Sequence, residues 1–531
     1  MEYGNLFLKA VGHHNTVTEN GAVSNSSMGS AIADQFGKAA NYRNRNYDDV
    51  SLDQEVLWKE NVENALRFPF YLRMVTRKIK VNDGFVTDKV QNGQGVRDES
   101  FKRLLWLAKN HNDIFWKNIW VLPLVGSWKD LFQLMHYDVV LGTNAIDRKN
   151  MFILLKEGIA CPEHVELIKK YMPRIKSYSK LKTDWTINMN EIAKEFASFM
   201  GWTAQEYNKF KASGIAHNFQ KEICGGMYEN INWNAIPGRA LNLLINGKFL
   251  ENHGLVESYT KWLEKQPVAK YTGYVYELAN AFNASRHRLP LYKKFTLDKQ
   301  FQSLIETAQA DGKIKENVWC ALDTSGSMTW DALDGKTTAL DICMSLGIFF
   351  STLNQGAFHK NVIMFDNTSR IKQLNGSFTD MMSQIPMNAW GGTNFQSVVN
   401  EIVRVRTNNP NIPLEDYPST LLIVSDMQFN PVGGNVETNY EAMKRKLREV
   451  FPTEFVDSMK FIWWNVTSIN NDYPTRLEDG GCYVLSGFDG SVVNLILQKD
   501  EKEKTAKTPK TMEELIEAAL TQEILLQVKL S

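Results

Sequence analysis

A change of hydrophobic period near residue 316 constrains this chain more than any other feature. From about residue 31 to 315 the apolar residues mostly recur at helical spacing. SLDQEVLWKENVENALRFPFYLRMVTRKI, RDESFKRLLWLAKNHNDIFWKNI, KDLFQLMHYDVVL and NMNEIAKEFASFMG read as amphipathic helices joined by short breaks. Beyond 316, NVWCALD, NVIMFD, STLLIVSD, MKFIWWNV and CYVLSG are short apolar runs of strand length. ALDICMSLGIFFSTLNQ and EAMKRKLREVF lie between them as helices. Apolar strands alternating with helices predict an α/β domain around a buried parallel sheet. Serial helices without strands predict stacked helix pairs. The expectation is therefore multidomain, α followed by α/β, with an extended polar arm over 1–30, helices over 31–315 and the α/β domain over 316–498. The remainder, 499–531, reads as a charged linker (KDEKEKTAKTPK) and a C-terminal amphipathic helix that docks on one of the domains or on a partner.

The chain has 531 residues, with 60 Lys+Arg against 60 Asp+Glu. At 43% hydrophobic and 23% charged it has the composition of a soluble globular protein and not of a disordered or uniformly basic one. The zero net charge conceals an asymmetry. Residues 1–315 carry 42 Lys+Arg and 33 Asp+Glu, whereas 316–531 carry 18 and 27. Such a division suggests different partners for the two parts, although drift between domains produces it too. Five scattered cysteines, none in a CxxC pair, fit a reducing compartment such as the cytoplasm and argue against a disulfide framework or a zinc site. The N-terminus lacks the pattern of a signal peptide, and no run of about 18 apolar residues predicts a membrane helix. The Asn25-Ser26-Ser27 sequon is then incidental.

The strongest chemical signal is LDTSGSM, residues 322–328. Asp323, Ser325 and Ser327 form a DxSxS pattern directly after the first predicted strand of the α/β domain. Open α/β sheets bind ligands at the carboxyl ends of their strands. A carboxylate and two hydroxyls are hard oxygen donors, suited to Mg²⁺ or another hard divalent ion. Thr393, in the Gly-rich loop WGGTNF, and Asp426, at the end of STLLIVSD, would complete the set. Each piece alone is weak, since Ser-rich turns also cap helices. The ordered combination at successive strand ends is more specific.

This constellation resembles the metal-ion-dependent adhesion site of von Willebrand factor A domains. The resemblance implies that Asp323, Ser325, Ser327, Thr393 and Asp426 hold a divalent metal, Mg²⁺ by expectation, directly or through water. It also implies an open coordination position for a partner's acidic group, and binding rather than catalysis. In the helical part, GWTAQEYNKFKASG, NINWNAIPGRALNLL and YTKWLEKQ resemble the TROVE module of the Ro autoantigen family. That likeness implies a ring of HEAT-like helical repeats that binds non-coding RNA. GSWKDL (126–131), TENGA (18–22), the WGG-T-F loop and the WN…SGF ending resemble a TROVE-related set, some of whose members are encoded by bacteriophages. Together the likenesses cover most of residues 15–500.

Charge placement supports an RNA partner independently. KKYMPRIKSYSKLK (169–182) holds Lys169, Lys170, Arg174, Lys176, Lys180 and Lys182, no acid, and the interleaved Tyr171 and Tyr178. Cations neutralise phosphates and aromatic rings stack on unpaired bases. RMVTRKIK adds Arg73, Arg77, Lys78 and Lys80, and RHRLPLYKK adds Arg286, Arg288, Lys293, Lys294 and Tyr292. Solvated helix faces give similar runs. His13 and His14 in the polar arm have no acidic neighbour, and Trp463-Trp464 read as core. No spacing supports a Ser-His-Asp, Cys-His or paired-carboxylate catalytic set, and no general base accompanies Asp323 or Asp426. The expectation is a binding protein and not an enzyme: an RNA-binding protein with a metal adhesion site, or else a protein-binding or assembly component that uses the metal site without RNA. A metal-dependent hydrolase is the weakest of the three readings.

Overall fold

The computed structural model describes residues 15–77, 90–214, 222–223, 225–266, 269–284, 288–310, 316–332, 335–385, 390–433, 437–467, 472–488, 496 and 511–530. His13, His14, Lys78, Lys80, Arg286 and the 499–510 stretch lie outside the described residues. Contacts divide the chain into a helical unit, Arg43–Ile231 with Ala518–Ser531, and an α/β unit, Met1–Tyr42 with Asn232–Glu517.

In the helical unit, α1 (Tyr47–Glu60) and α2 (Val62–Arg73) replace the single long helical stretch suggested by the sequence. Asn61 separates them: its extended backbone ends α1, and its side chain accepts the Asn64 N–H that α2 cannot satisfy internally. Next come α3 (Asp98–Asn110), α4 (Lys129–Val140), α5 (Arg148–Ala160), α6 (Pro162–Tyr171), α7 (Asp184–Phe199) and α8 (Ala204–Ser213). Capping boxes at Thr183 and Thr203 start α7 and α8. Neighbours in sequence pack together: α1 on α2, α2 on α3, α5 on α6 and α7 on α8, with α4 bridging to both α3 and α7. The GSWKDL run is the turn that opens α4 and its first residues. Asp130, fully buried, accepts the Ser127 N–H (2.8 Å) and pairs with Arg73 (2.7 Å) and Arg97 (3.2 Å). A Cβ on Gly126 would lie 2.2 Å from an Asp130 carboxylate oxygen. The chain end closes this unit: Gln522 exchanges hydrogen bonds with the Asn92 backbone, and Lys529 does so with the Asn118 side chain.

The α/β unit is built on a six-stranded sheet of β3 (Val318–Asp323), β4 (Asn361–Phe365), β5 (Ser369–Gln373), β6 (Thr420–Ser425), β7 (Lys460–Asn465) and β8 (Cys482–Ser486). Their order is β5-β4-β3-β6-β7-β8, and every pair is parallel except the antiparallel edge pair β4–β5. The parallel strands are buried almost throughout, as a sheet covered on both faces requires. Burying one such Leu, Ile or Phe side chain contributes about 1.5–3 kcal/mol. The sequence did not reveal β5: SRIKQ is a polar edge strand with no fully buried residue.

The unit extends well beyond the change of pattern at 316. α9 (Val275–Asn283) and α10 (Leu291–Ala310) pack within it, on α11 (Ala339–Leu353) and α12 (Phe378–Gln384). Phe301 stacks on Phe378 with centroids 4.7 Å apart, and Asp298 accepts from the Thr379 backbone and hydroxyl. The polar arm joins it too. Residues 15–30 include a hairpin of β1 (Thr16–Val17) and β2 (Val23–Ser24), whose Asn25 pairs with Tyr473 in both directions. Asn41 donates to the carbonyls of Asn465 and Thr467 and accepts from the Gly487 N–H, so the WN…SGF residues are where this N-terminal segment docks. Helical periodicity announces helices but not which core they serve. Counted by these units, the sequence has 29 Lys+Arg and 24 Asp+Glu in the helical unit and 31 and 36 in the α/β unit, so the asymmetry keeps its sign and shrinks.

Candidate functional site

The strand order turns at the boundary between β3 and β6: connections run outward to β4 on one side and to β7 on the other. Such a switch point leaves a crevice at the carboxyl ends of the two central strands. Asp323 is the last residue of β3, and Asp426 follows the last residue of β6. Both are buried, at 0% and 3% exposure.

Four of the five sequence-predicted residues are joined there by hydrogen bonds or charge, and the loop of the fifth, Thr393, is tied beside them. Asp323 Oδ1 accepts the Ser325 N–H at 2.8 Å, and Asp323 Oδ2 accepts the Ser425 hydroxyl at 2.5 Å. The hydroxyls of Ser325 and Ser327 lie 3.3 Å apart. Asp426 accepts the Gln428 N–H at 3.1 Å, and the Ser327 hydroxyl also bonds it. Thr393 arrives on the Gly-rich loop, which is tied to the DxSxS turn by Gly326 N–H to Gly391 O at 3.3 Å. Gly391 has φ +90° and lies against the Asn367 amide, so a side chain there would be both strained and blocked. Asn430 grips the loop at Thr393, accepting its N–H at 3.2 Å and donating its own backbone N–H to the Thr393 carbonyl at 2.8 Å.

Burial, and then the charge of Asp426, push the Asp323 carboxyl above its ordinary range, against the hydrogen bonds from Ser425 and Ser325. Burial likewise raises Asp426, opposed by Ser327 and the Gln428 N–H, with a further upward push from Glu19. Two carboxylates close together in low dielectric are unfavourable unless protonated or balanced by a cation. Among the described residues no three His, Cys, Asp or Glu side chains form a metal-holding group; the set here is two carboxylates with three hydroxyls. That chemistry fits Mg²⁺, which accepts few protein carboxylates and completes its shell with water.

Three features of this edge were not read from the sequence. Glu19 sits on the hairpin tip, which is clamped to the loop after β6: its N–H donates to Gln428 Oε1 (2.5 Å), Asn20 donates to the Gln428 carbonyl (2.5 Å), and Thr18 donates to the Phe429 carbonyl (2.8 Å). TENGA thus brings a third carboxylate toward Asp426. Trp330 and Trp390 are 55% and 75% exposed, one just beyond Ser327 and the other three residues before Thr393. Tryptophans exposed on these two loops stand out in sequence only once the loops are known to share an edge.

The cation run is divided. Lys169 and Lys170 end α6, where Lys169 pairs with Glu166 (2.9 Å) and lies over the Phe210 ring, and Lys170 lies over Tyr171. Arg174, Lys176, Lys180 and Lys182 stand exposed on the segment leading to α7. Of the other basic residues, Arg73 is committed to Asp130, Arg77 to the carbonyls of Leu124 and Gly126, Lys293 to Glu251 and Lys294 to Asp380. Among the described residues no helix is long and apolar enough to cross a membrane.

Residues 318–525 match the model of a domain of unknown function, DUF7788. The matched segment contains the whole six-stranded sheet and all five clustered residues. Over 523 residues the chain is 22% identical to the uncharacterized protein L728 of Acanthamoeba polyphaga mimivirus, which covers 91% of this chain and 85% of that protein.

Proposed function

We propose that this chain is an RNA-binding protein that carries a divalent metal, Mg²⁺ by preference, as an adhesion site for a second, acidic ligand. The observation that carries the metal is the burial of Asp323 and Asp426 in one hydrogen-bonded cluster at the switch point of the sheet. A cation would balance the two charges, and the hydroxyls of Ser325, Ser327 and Thr393 supply further hard donors. In this reading the α/β unit is von Willebrand factor A-like. The metal supplies a Lewis-acidic point that takes a partner carboxylate, and Trp330 and Trp390 flank it as contact residues of the kind that dominate interfaces. The protein binds and does not catalyse. Among the described residues Cys161, Cys320, Cys343 and Cys482 form no disulfide, which supports action in a reducing compartment such as the cytoplasm. Mn²⁺ titration followed by electron paramagnetic resonance tests the metal. The free-ion signal is suppressed until about one equivalent is bound, and Asp323→Asn abolishes that suppression; an identical titration of the variant overturns the assignment.

The RNA half of the reading, with a HEAT-like TROVE-type arrangement of the helices, rests on Arg174, Lys176, Lys180 and Lys182, which are exposed and have no acidic partner among the described residues. Gel shifts with structured and single-stranded RNA test it: binding at low salt that weakens as salt rises is expected, and no binding at low salt refutes it. A second reading, an assembly component without RNA, is favoured by the two exposed tryptophans and by the viral origin of the 22%-identical relative. It gains if RNA fails to bind while the metal site holds.

A further inference from the structure

A cleft in the helical unit lies between α4, the end of α6 and the start of α7, with a volume of about 160 Å³. Trp185 and Tyr171 form part of its wall, and Lys129, Arg174 and Lys176 contribute cations. Among the described residues no acidic side chain lines it. Its inner surface holds two buried amides with unused hydrogen-bonding atoms. Gln133 is 8% exposed and its Oε1 has no hydrogen-bond partner. Asn190 is 2% exposed; its Oδ1 accepts the Lys176 N–H at 2.8 Å, while its Nδ2 has no partner. A buried unpaired amide atom costs roughly 1–3 kcal/mol, so a group that bonds it there gains that free energy. The fold therefore keeps one unused donor and one unused acceptor on residues that line a cleft also walled by Phe132, Tyr171 and Trp185.

We infer that this cleft binds a single pyrimidine nucleotide, its base against Trp185 with its polar edge on Asn190 and Gln133, and its phosphate on Arg174, Lys176 and Lys129. The volume fits one ring: a cavity of about 150 Å³ accommodates benzene. A base's Watson–Crick edge presents an adjacent acceptor and donor that complement such a pair, and the one-ring volume selects a pyrimidine over a purine. Trp185 is 37% exposed and meets His136 edge-on at 4.5 Å, which leaves part of its surface open to a ring. Burial, then the neighbouring Arg97, lower the Lys129 ammonium from its ordinary value. An incoming phosphate relieves both effects. The nucleotide could be part of a single-stranded RNA or free in solution, and the inference deepens the RNA reading above without depending on the metal.

Fluorescence anisotropy with labelled oligo(U) and oligo(A) of equal length tests the inference on the full chain, alongside calorimetric titration with UMP and AMP. The expected result is at least tenfold tighter binding of oligo(U). Trp185→Leu and Gln133→Leu, each checked for an unchanged melting transition, abolish that preference but leave the salt dependence intact. Charge reversal at Lys180 and Lys182 weakens both oligonucleotides equally and keeps the preference. UMP binding that Trp185→Leu removes, without RNA binding, supports the cleft as a free-nucleotide site and dismisses the RNA reading. Equal binding of oligo(U) and oligo(A), unaffected by Trp185→Leu and Gln133→Leu, overturns the cleft assignment while leaving RNA binding in place. Failure of all four probes overturns both.

Discussion

Ser425 Oγ donates a 2.5 Å hydrogen bond to Asp323 Oδ2, joining the carboxyl ends of two adjacent parallel strands. The bond steadies a buried carboxylate that also faces Asp426. Ser425→Ala is expected to cost about 1–3 kcal/mol of stability in EDTA, because it removes a donor from a buried charge. Asp323→Asn relieves the repulsion and leaves the metal-free protein at least as stable as the wild type. Urea unfolding in EDTA distinguishes the two; a strongly destabilised Asp323→Asn protein would count against a repulsive pair.

Mg²⁺ is expected to stabilise the wild type by mass action. At about 100 times the dissociation constant the gain is about 2.7 kcal/mol, and it disappears in Asp323→Asn and Asp426→Asn. Glu19→Gln weakens Mg²⁺ binding severalfold without abolishing it, since Glu19 adds charge beside Asp426 on a separate hairpin. Melting curves at increasing Mg²⁺ provide the comparison, with equal shifts in all four proteins as the contrary result.

In the helical unit the fully buried Asp130 holds Arg73, and truncating it removes that guanidinium's buried acidic partner. Asp130→Ala should lose about 3–5 kcal/mol. Gly126→Ala intrudes on the same carboxylate and should also destabilise. Denaturant unfolding measures both, and a cost below about 1 kcal/mol for Asp130→Ala would contradict the ion pair's structural role.

The basic run should separate by function. Charge reversal at Lys180 and Lys182 is expected to lower RNA affinity and flatten its salt dependence, with about 0.7 of logarithmic slope lost per single-strand phosphate contact. Lys169→Ala acts mainly on packing, because its ammonium is engaged by Glu166 and Phe210. Equal RNA effects from all three sites would refute this division.

Burial pushes the Cys320 thiol up to about 12, and raises Cys343 and Cys482 as well. Among Cys161, Cys320, Cys343 and Cys482, only the half-buried Cys161 should react quickly with a thiol reagent in the native protein. Mass spectrometry after brief labelling decides it; rapid modification of Cys343 would contradict the buried placement.

The sequence exposed the strands of the α/β unit because β3, β6, β7 and β8 are buried on both faces and so stand out as apolar runs. The same runs, NVWCALD and STLLIVSD, ended in Asp323 and Asp426, which made the oxygen cluster legible. What stayed hidden depends on long-range packing. α9 and α10 have helical periodicity like any other helix, and nothing local says that Phe301 stacks on Phe378. The arm looked extended because Thr16–Val17 and Val23–Ser24 are too short to register as strands. The cleft was hidden for a similar reason: Lys129, Gln133, Arg174 and Asn190 are neighbours only after α4 and α7 pack.

The location of the metal is tested most directly by anomalous diffraction from crystals of the full chain soaked in Mn²⁺. The expected result is a single strong peak at the carboxyl edge of β3 and β6, bounded by Ser325, Ser327 and Thr393 and held by Asp323 and Asp426 directly or through water. A well-occupied Mn²⁺ elsewhere, with this cluster empty at saturating metal, would contradict the central claim.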